Sequence, residues 1–198
     1  LGLEAIKVAV IREGNKGVLL VVDVQVGVMR NAWDAQRIIK NIGIVVEKAR
    51  SQGVPVIWVQ HSDDELVHGS PDWQLVPQLS PAEGEVRIHK HFNSSFEETS
   101  LEETLARLGA THVALVGAAT NWCIRATAYG ALDRGYDLTL IKDAHTTETI
   151  ELENGISIEA ASLVRELNLA MTWLSYPGRT NRTASVEDVD FAVPGGVR

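Results

Sequence analysis

The sequence has little of several things, and each scarcity excludes something. Its 198 residues include one cysteine, Cys123. A single cysteine forms no intrachain disulfide and no four-cysteine zinc site, which fits a reducing, cytoplasmic setting. Basic side chains are outnumbered: 18 Lys and Arg against 26 Asp and Glu leave a net charge of −8. That balance gives no general attraction to phosphate backbones or anionic bilayers, so neither nucleic acid nor membrane is expected as a partner. No apolar run approaches the ~18 to 20 residues that a spanning helix needs. The 6 prolines and 16 glycines are scattered without a period, which excludes collagen-like and linker readings. The segment Leu1–Lys7 has no basic stretch followed by an apolar core, so no signal peptide is expected. The absence of an initiator Met suggests that residue 1 is not the natural start.

What is present is ordinary globular composition, with 45% hydrophobic and 22% charged residues. The chain suits one domain, with a core over about residues 17–175 and a tail over 176–198. Short apolar runs recur at Val18–Val22, Val54–Val59, Val86–Ile88, Val113–Val116 and Leu138–Ile141. Near-continuous apolar runs of this length predict strands covered on both faces. Helical periods lie between them. Ala35 to Gln52 repeats Ile38, Ile39, Ile42, Val45, Val46 and Ala49 and stops at Gly53. Ser100 to Leu108 opens with a capping-box pattern, Ser100 then Glu103, and stops at Gly109. Asn121 to Arg134 and Ile158 to about Leu169 are the other two helices, and Ala184–Val186 is a candidate last strand. The alternation predicts a three-layer α/β/α sandwich around a mostly parallel, doubly wound sheet. The segment from His61 to Gly84 has no clear period and is long for a loop, a length usually kept for function.

In an open parallel sheet, ligands bind beyond the carboxyl ends of the strands. That rule selects Asp23 after the first strand, His61 after the second, and His89 and Lys90 at the end of the third. The fourth runs into Gly117–Cys123, and Asp143 and His145 follow the fifth. The one cysteine therefore falls at a helix start, beside an acid and a lysine. Both a helix N-terminus and a cation such as Lys90 are expected to lower a thiol pKa, and the thiolate is the nucleophile. Asp23 can take the thiol proton and return it to a leaving amine. The alternative is that Cys123 is a small buried hydrophobe.

These residues resemble the isochorismatase-like cysteine hydrolases. The resemblance rests on Leu19-Leu20-Val21-Val22-Asp23-Val24-Gln25, on Lys90-His91-Phe92-Asn93-Ser94-Ser95-Phe96 and on Gly117 to Thr127, followed by Gly135-Tyr136 and Asp143-Ala144-His145. It covers roughly residues 17 to 175. Asp143–Thr147 and Pro177–Thr180 tilt it toward the nicotinamidase-related amidohydrolases that include streptothricin hydrolase. It implies a triad of Asp23 as general base, Lys90, and Cys123 as nucleophile. It also implies a cis peptide joining Ala118 to Ala119, with the amides of Ala119 and Cys123 as the oxyanion hole. Gln25, Trp73 in the long loop and Trp122 are candidate substrate contacts. Gln25 has a loop-ordering alternative and Trp122 a subunit-packing one, and Arg125 is expected to pair with a carboxylate of the protein. Nicotinamidases carry Asp-x-His for a metal, whereas Val59 stands two residues before His61 here, so no metal is expected at His61 and His68, and no organic cofactor.

Together these readings predict cysteine-dependent hydrolysis of a C–N bond in a small amide, lactam or ureido substrate through a thioester. Cys123 disfavours the alternative of a vinyl-ether hydrolase of the isochorismatase type. The other alternative, a non-catalytic flavodoxin-like binding domain, would need a better anion-binding loop than Asp23–Gly27. Apolar residues in the long loop (Leu66, Val67, Trp73, Leu75, Val76, Leu79) and the tail (Trp173, Leu174, Tyr176, Phe191, Val193) predict a homo-oligomer, a dimer or tetramer.

Overall fold

A computed structural model describes residues 10–191. The strands are β1 (Gly17–Val22), β2 (Val56–His61), β3 (Val86–Lys90), β4 (His112–Ala118), β5 (Asp137–Thr146), the short pair β6 (Ile150–Glu151) and β7 (Ser157–Ile158), and β8 (Asn181–Ala184). The helices are α1 (Val26–Met29), α2 (Ala35–Ser51), α3 (Leu101–Leu108), α4 (Arg125–Asp133) and α5 (Ala160–Trp173), with a π-helical turn over Thr120–Ile124. Six strands form one sheet in the order β3-β2-β1-β4-β5-β8. Every neighbouring pair in it is parallel. The chain winds outward from β1 to β3, crosses back, and continues from β4 to β8. The winding reverses between β1 and β4, and that reversal opens a crevice at their carboxyl ends.

The apolar runs are continuous because successive side chains enter opposite layers, both buried. Val18, Leu20 and Val22 meet Leu101, Leu105, Ala128, Leu132 and Met171 of α3, α4 and α5. Leu19 and Val21 meet Ile38, Ile42, Val45 and Val46 of α2. The 3.6-residue spacing of those α2 residues places them on one stripe, as the sequence pattern predicts.

Two local expectations need correcting. Ser100 precedes α3 but makes no side-chain cap hydrogen bond. The hydroxyl of Thr99 takes the Leu101 N–H at 3.2 Å instead, so the capping box is not formed. The last strand lies at Asn181–Ala184, earlier than Ala184–Val186, because Val186 is drawn off by its N–H to the Asp143 carboxylate at 2.9 Å. The long segment after β2 adds only an isolated bridge between Gln25 and Leu75, yet it is not detached from the core. Val76 and Leu79 are buried in the α2 layer, and Leu75 and Phe191, the latter from the tail, pack against it. Leu174 and Tyr176 pack against the other layer. Much of the apolar content that pointed to a partner therefore faces this chain's own sheet. Of the residues that pointed to a partner, Val67 and Trp173 stay exposed, and Trp173, 78% exposed, adjoins the 60% exposed Leu169 on α5. Val193 lies outside the described residues.

Candidate active site

The crevice between β1 and β4 gathers three side chains from three strand ends. Asp23 follows β1 with a left-handed backbone, φ 53°, which few non-glycine residues adopt. Its N–H donates to the Val59 carbonyl at 2.8 Å, anchoring it to β2. Lys90 is the last residue of β3 and pairs in register with His61 of β2. Cys123 sits in the π-helical turn that follows β4. Gly117 makes this approach possible: at φ 124°, a Cβ there would lie 1.9 Å from the Val22 carbonyl oxygen. Only a residue without a side chain lets β4 pass so near the backbone that delivers Asp23. The Ala118–Ala119 peptide is cis.

Asp23 and Lys90 are each 1% exposed, and Cys123 is 8% exposed. Lys90 Nζ lies 2.7 Å from Asp23 Oδ2. It also donates to Cys123 Sγ at 3.2 Å, to the Phe92 carbonyl at 3.2 Å and toward His61 Nδ1 at 3.3 Å. An ammonium has three N–H groups, which match these three hydrogen-bond acceptors, while the Asp23 carboxylate meets it as an ion pair. With Nδ1 accepting, the proton of the His61 ring is on Nε2, which donates to Asp63 Oδ2 at 3.0 Å. Burial by itself would push the Lys90 ammonium down, but Asp23 and Cys123 outweigh it and hold its pKa above the usual value. The Cys123 thiol is pushed up to about 12, first by burial and then by the Asp23 carboxylate, with Lys90 acting in the opposite direction. This corrects the expectation of a depressed thiol. The helix start and the lysine are there, but the thiol is desolvated and shares Lys90 with a full negative charge. The carboxylate that helps keep the thiol protonated shares Lys90 with it in one buried cluster.

The π-helical turn is tied to the end of β5. Thr120 Oγ1 pairs with His145 Nδ1 at 2.9 Å, and His145 Nε2 with Asn168 Oδ1 at 3.0 Å. Thr147 Oγ1 donates to Asn121 Oδ1 at 2.6 Å. Burial pushes His145 down to about 4, so it is a neutral structural group at physiological pH. Asp143 faces away from the triad and accepts the Val186 N–H.

A cleft of about 510 Å³ opens over the cis peptide, with Gly27, His61, Ala118, Ala119, Trp122 and Ile150 in its wall. Trp122 lines it and is 56% exposed. Gln25 is different: it is fully buried, and its amide donates to the carbonyls of His61 at 3.0 Å and Trp73 at 2.9 Å while accepting the His61 N–H at 2.8 Å. No donor is left for a ligand, so its role is to order the loop. Trp73 is stacked on His89 with ring centroids 5.2 Å apart and touches His68 at 4.4 Å, away from the cleft wall. Arg125 pairs with Glu166. Among the described residues, no three His, Cys, Asp or Glu side chains converge as a metal-holding group.

Residues 17–165, about three quarters of the chain, match the family model described as the isochorismatase domain. The chain belongs to the isochorismatase family. It is 33% identical over 147 residues to streptothricin hydrolase from Streptomyces noursei, covering 70% of this chain and 58% of that protein. It is 32% identical to YrdC, an isochorismatase-family protein of Bacillus subtilis, over 75% of this chain and 83% of that one. Ureidoacrylate amidohydrolase RutB from Caulobacter segnis matches at 30% identity over 56% of this chain and 59% of its own length. The chain thus spans less than two thirds of the streptothricin hydrolase and of RutB. Among solved structures, an isochorismatase from Pseudomonas putida KT2440 superposes with a TM-score of 0.74 at 26% identity, covering 86% of this chain and 88% of that one. A cysteine hydrolase from Pseudomonas syringae pv. phaseolicola 1448A gives 0.76 at 19% identity, over 87% and 89%, and shares the fold.

Sequence reasoning named His61 and the Lys90–Asn93 run but not the contacts by which they complete this isochorismatase-family site. Asn93 Oδ1 accepts from Sγ at 3.9 Å, the Phe92 carbonyl holds Lys90, and His61 reaches Lys90 across the β2–β3 pair. The Lys90–Phe92–Asn93 run was visible as a motif, but nothing in it says which atoms turn inward.

Proposed function

We propose that this isochorismatase-family protein is a hydrolase that cleaves a C–N bond of a small amide, lactam or ureido substrate through a thioester on Cys123. The observation that carries this reading is the buried convergence of a thiol, a carboxylate and an ammonium beneath a cleft walled by His61, Ala119 and Trp122. A thiol with a pKa near 12 is not a resting thiolate. It becomes a nucleophile only as it reacts, passing its proton to Asp23 while Sγ bonds to the substrate carbonyl carbon. Lys90 remains charged throughout and offsets the negative charge that moves from Asp23 to sulfur and oxygen. The carbonyl oxygen becomes an oxyanion, for which the amides of Ala119 and Cys123 are the proposed donors. As the tetrahedral species collapses, the C–N bond breaks and Asp23 returns the proton to the leaving nitrogen. Water then gives a proton to Asp23 and attacks the thioester, releasing the acid and restoring the thiol.

Amine or ammonia release across a panel of small amides, lactams and ureides tests this reading. The substrate that turns over should leave an acyl adduct on Cys123 detectable by mass spectrometry. Cys123→Ala should lower that rate at least about 1,000-fold with circular dichroism unchanged, since removal of a nucleophile typically does so. A variant that keeps more activity than that overturns the covalent mechanism.

A further inference from the structure

The wall of the cleft carries more negative charge than the site beneath it accounts for. Asp63, Glu65, Asp72 and Glu148 all line it, against a single cation, Arg30. Arg30 is bound to Asp72, and Asp63 accepts from His61 and from the N–H groups of Glu65 and Leu66. Glu65 and Glu148 are exposed, and their carboxylates have no ion-pair or hydrogen-bond partner among the described residues. The charge at the foot is already balanced within the Asp23–Lys90 pair. A second feature in the same wall is independent of these carboxylates. Trp122, next to Cys123 in sequence, presents a half-exposed indole, the side chain whose face attracts cations most strongly. Unpaired carboxylates and an open indole around one mouth are chemistry that selects an organic cation and repels a carboxylate.

Resting on the hydrolase reading above, we propose that the substrate is a cationic amide, lactam or ureide. Its ammonium or guanidinium group sits among Trp122, Glu65 and Glu148 while its carbonyl reaches Cys123. Glu65 and Glu148 set specificity through charge and take no part in bond making.

Two measurements separate this inference from the reading it rests on. The first needs no turnover. Cys123 is the only cysteine, so methanethiosulfonate reagents report access to it directly. Three reagents of similar size are compared at low ionic strength: trimethylammonioethyl, sulfonatoethyl and neutral. After normalising to the neutral reagent, the cation should react at least about 10-fold faster than the anion, and most of that ratio should vanish in 0.5 M salt. Glu148→Gln and Glu65→Gln should each reduce the ratio about 2- to 5-fold. Glu13→Gln, the same charge change ahead of β1 at the opposite end of the sheet, should not. A ratio of one or below, or one that Glu13→Gln lowers equally, overturns the inference. So does failure of the neutral reagent to modify Cys123, because the thiol would then not lie at the foot of this cleft.

The second measurement compares hydrolysis of matched amides bearing an ammonium, a methyl or a carboxylate group at the far end. A preference for the ammonium amide supports the inference, and a preference for the carboxylate amide overturns it. If none is hydrolysed while the reagent order holds, the hydrolase reading fails and the cation-selective cleft stands.

Discussion

Replacing Asp23 with asparagine should move two properties of Cys123 in opposite directions. The amide fills the same volume but carries no charge and cannot accept a proton. In the native site the thiol pKa is near 12, so at pH 7.5 only roughly one molecule in 30,000 holds a thiolate. Burial is the largest cause, and Asp23→Asn leaves burial in place. It removes the next cause, the carboxylate, and leaves Lys90 Nζ 3.2 Å from Sγ without a competing anion. A nearby charge commonly moves a pKa by about 1 to 3 pH units, so alkylation by iodoacetamide at pH 7.5 should quicken roughly 10- to 1,000-fold. Turnover should fall instead by roughly 100- to 10,000-fold, because nothing can protonate the leaving nitrogen. The assay is the pH dependence of alkylation, followed by intact mass, beside amine release from the same preparations. Removing one partner of a buried ion pair usually destabilises by about 3 to 5 kcal/mol. Here the new thiolate can serve as counterion to Lys90, so the loss in a urea titration should fall below that range. Alkylation that is unchanged or slower would refute the claim that Asp23 holds the thiol protonated. Turnover at the native rate would remove Asp23 from the mechanism.

Lys90→Ala should slow alkylation of Cys123, and it should destabilise by about 3 to 5 kcal/mol because Asp23 is left buried without its ammonium; faster alkylation would contradict the role given to Lys90. Acid should weaken the fold through two buried histidines. His112 and His145 are both held down at about 4, below the ordinary ~6.5, so the unfolded chain binds more protons between those values and stability falls with pH across that window, by about 3 kcal/mol per histidine in full. Equal urea midpoints at pH 7.5 and 4.5 would refute it. Gly117→Ala should cost about 2 to 6 kcal/mol through backbone strain and the collision with Val22. Gly53→Ala, at φ 68° with no atom within 4 Å of the added carbon, should cost about 1 to 2 kcal/mol, and equal melting temperatures for the two variants would refute the close approach. The exposed Leu169 and Trp173 on α5 make self-association the expected state; light scattering at low micromolar concentration giving a mass near 21.6 kDa would exclude it.

The strands and their directions were legible in the sequence because burial on both faces demands unbroken apolar runs, and Val18–Val22 and Val113–Val116 are short and rich in β-branched valine. The α2 stripe was legible because its period is 3.6, and the ends of β1, β3 and β4 then singled out Asp23, Lys90 and the segment holding Cys123. Tertiary structure decided what those residues experience. Whether a thiol at a helix start is acidic or inert depends on water and on the charge that shares its lysine, and neither is a property of neighbouring residues in the chain. The same holds for Gln25, whose place beside Asp23 suggests a ligand contact until the His61 and Trp73 carbonyls arrive from 36 and 48 residues away and use both donors. Glu65, Trp122 and Glu148 look unrelated along the sequence. They share one cleft only because the loop after β2, the turn after β4 and the end of β5 all emerge on the same side of a parallel sheet.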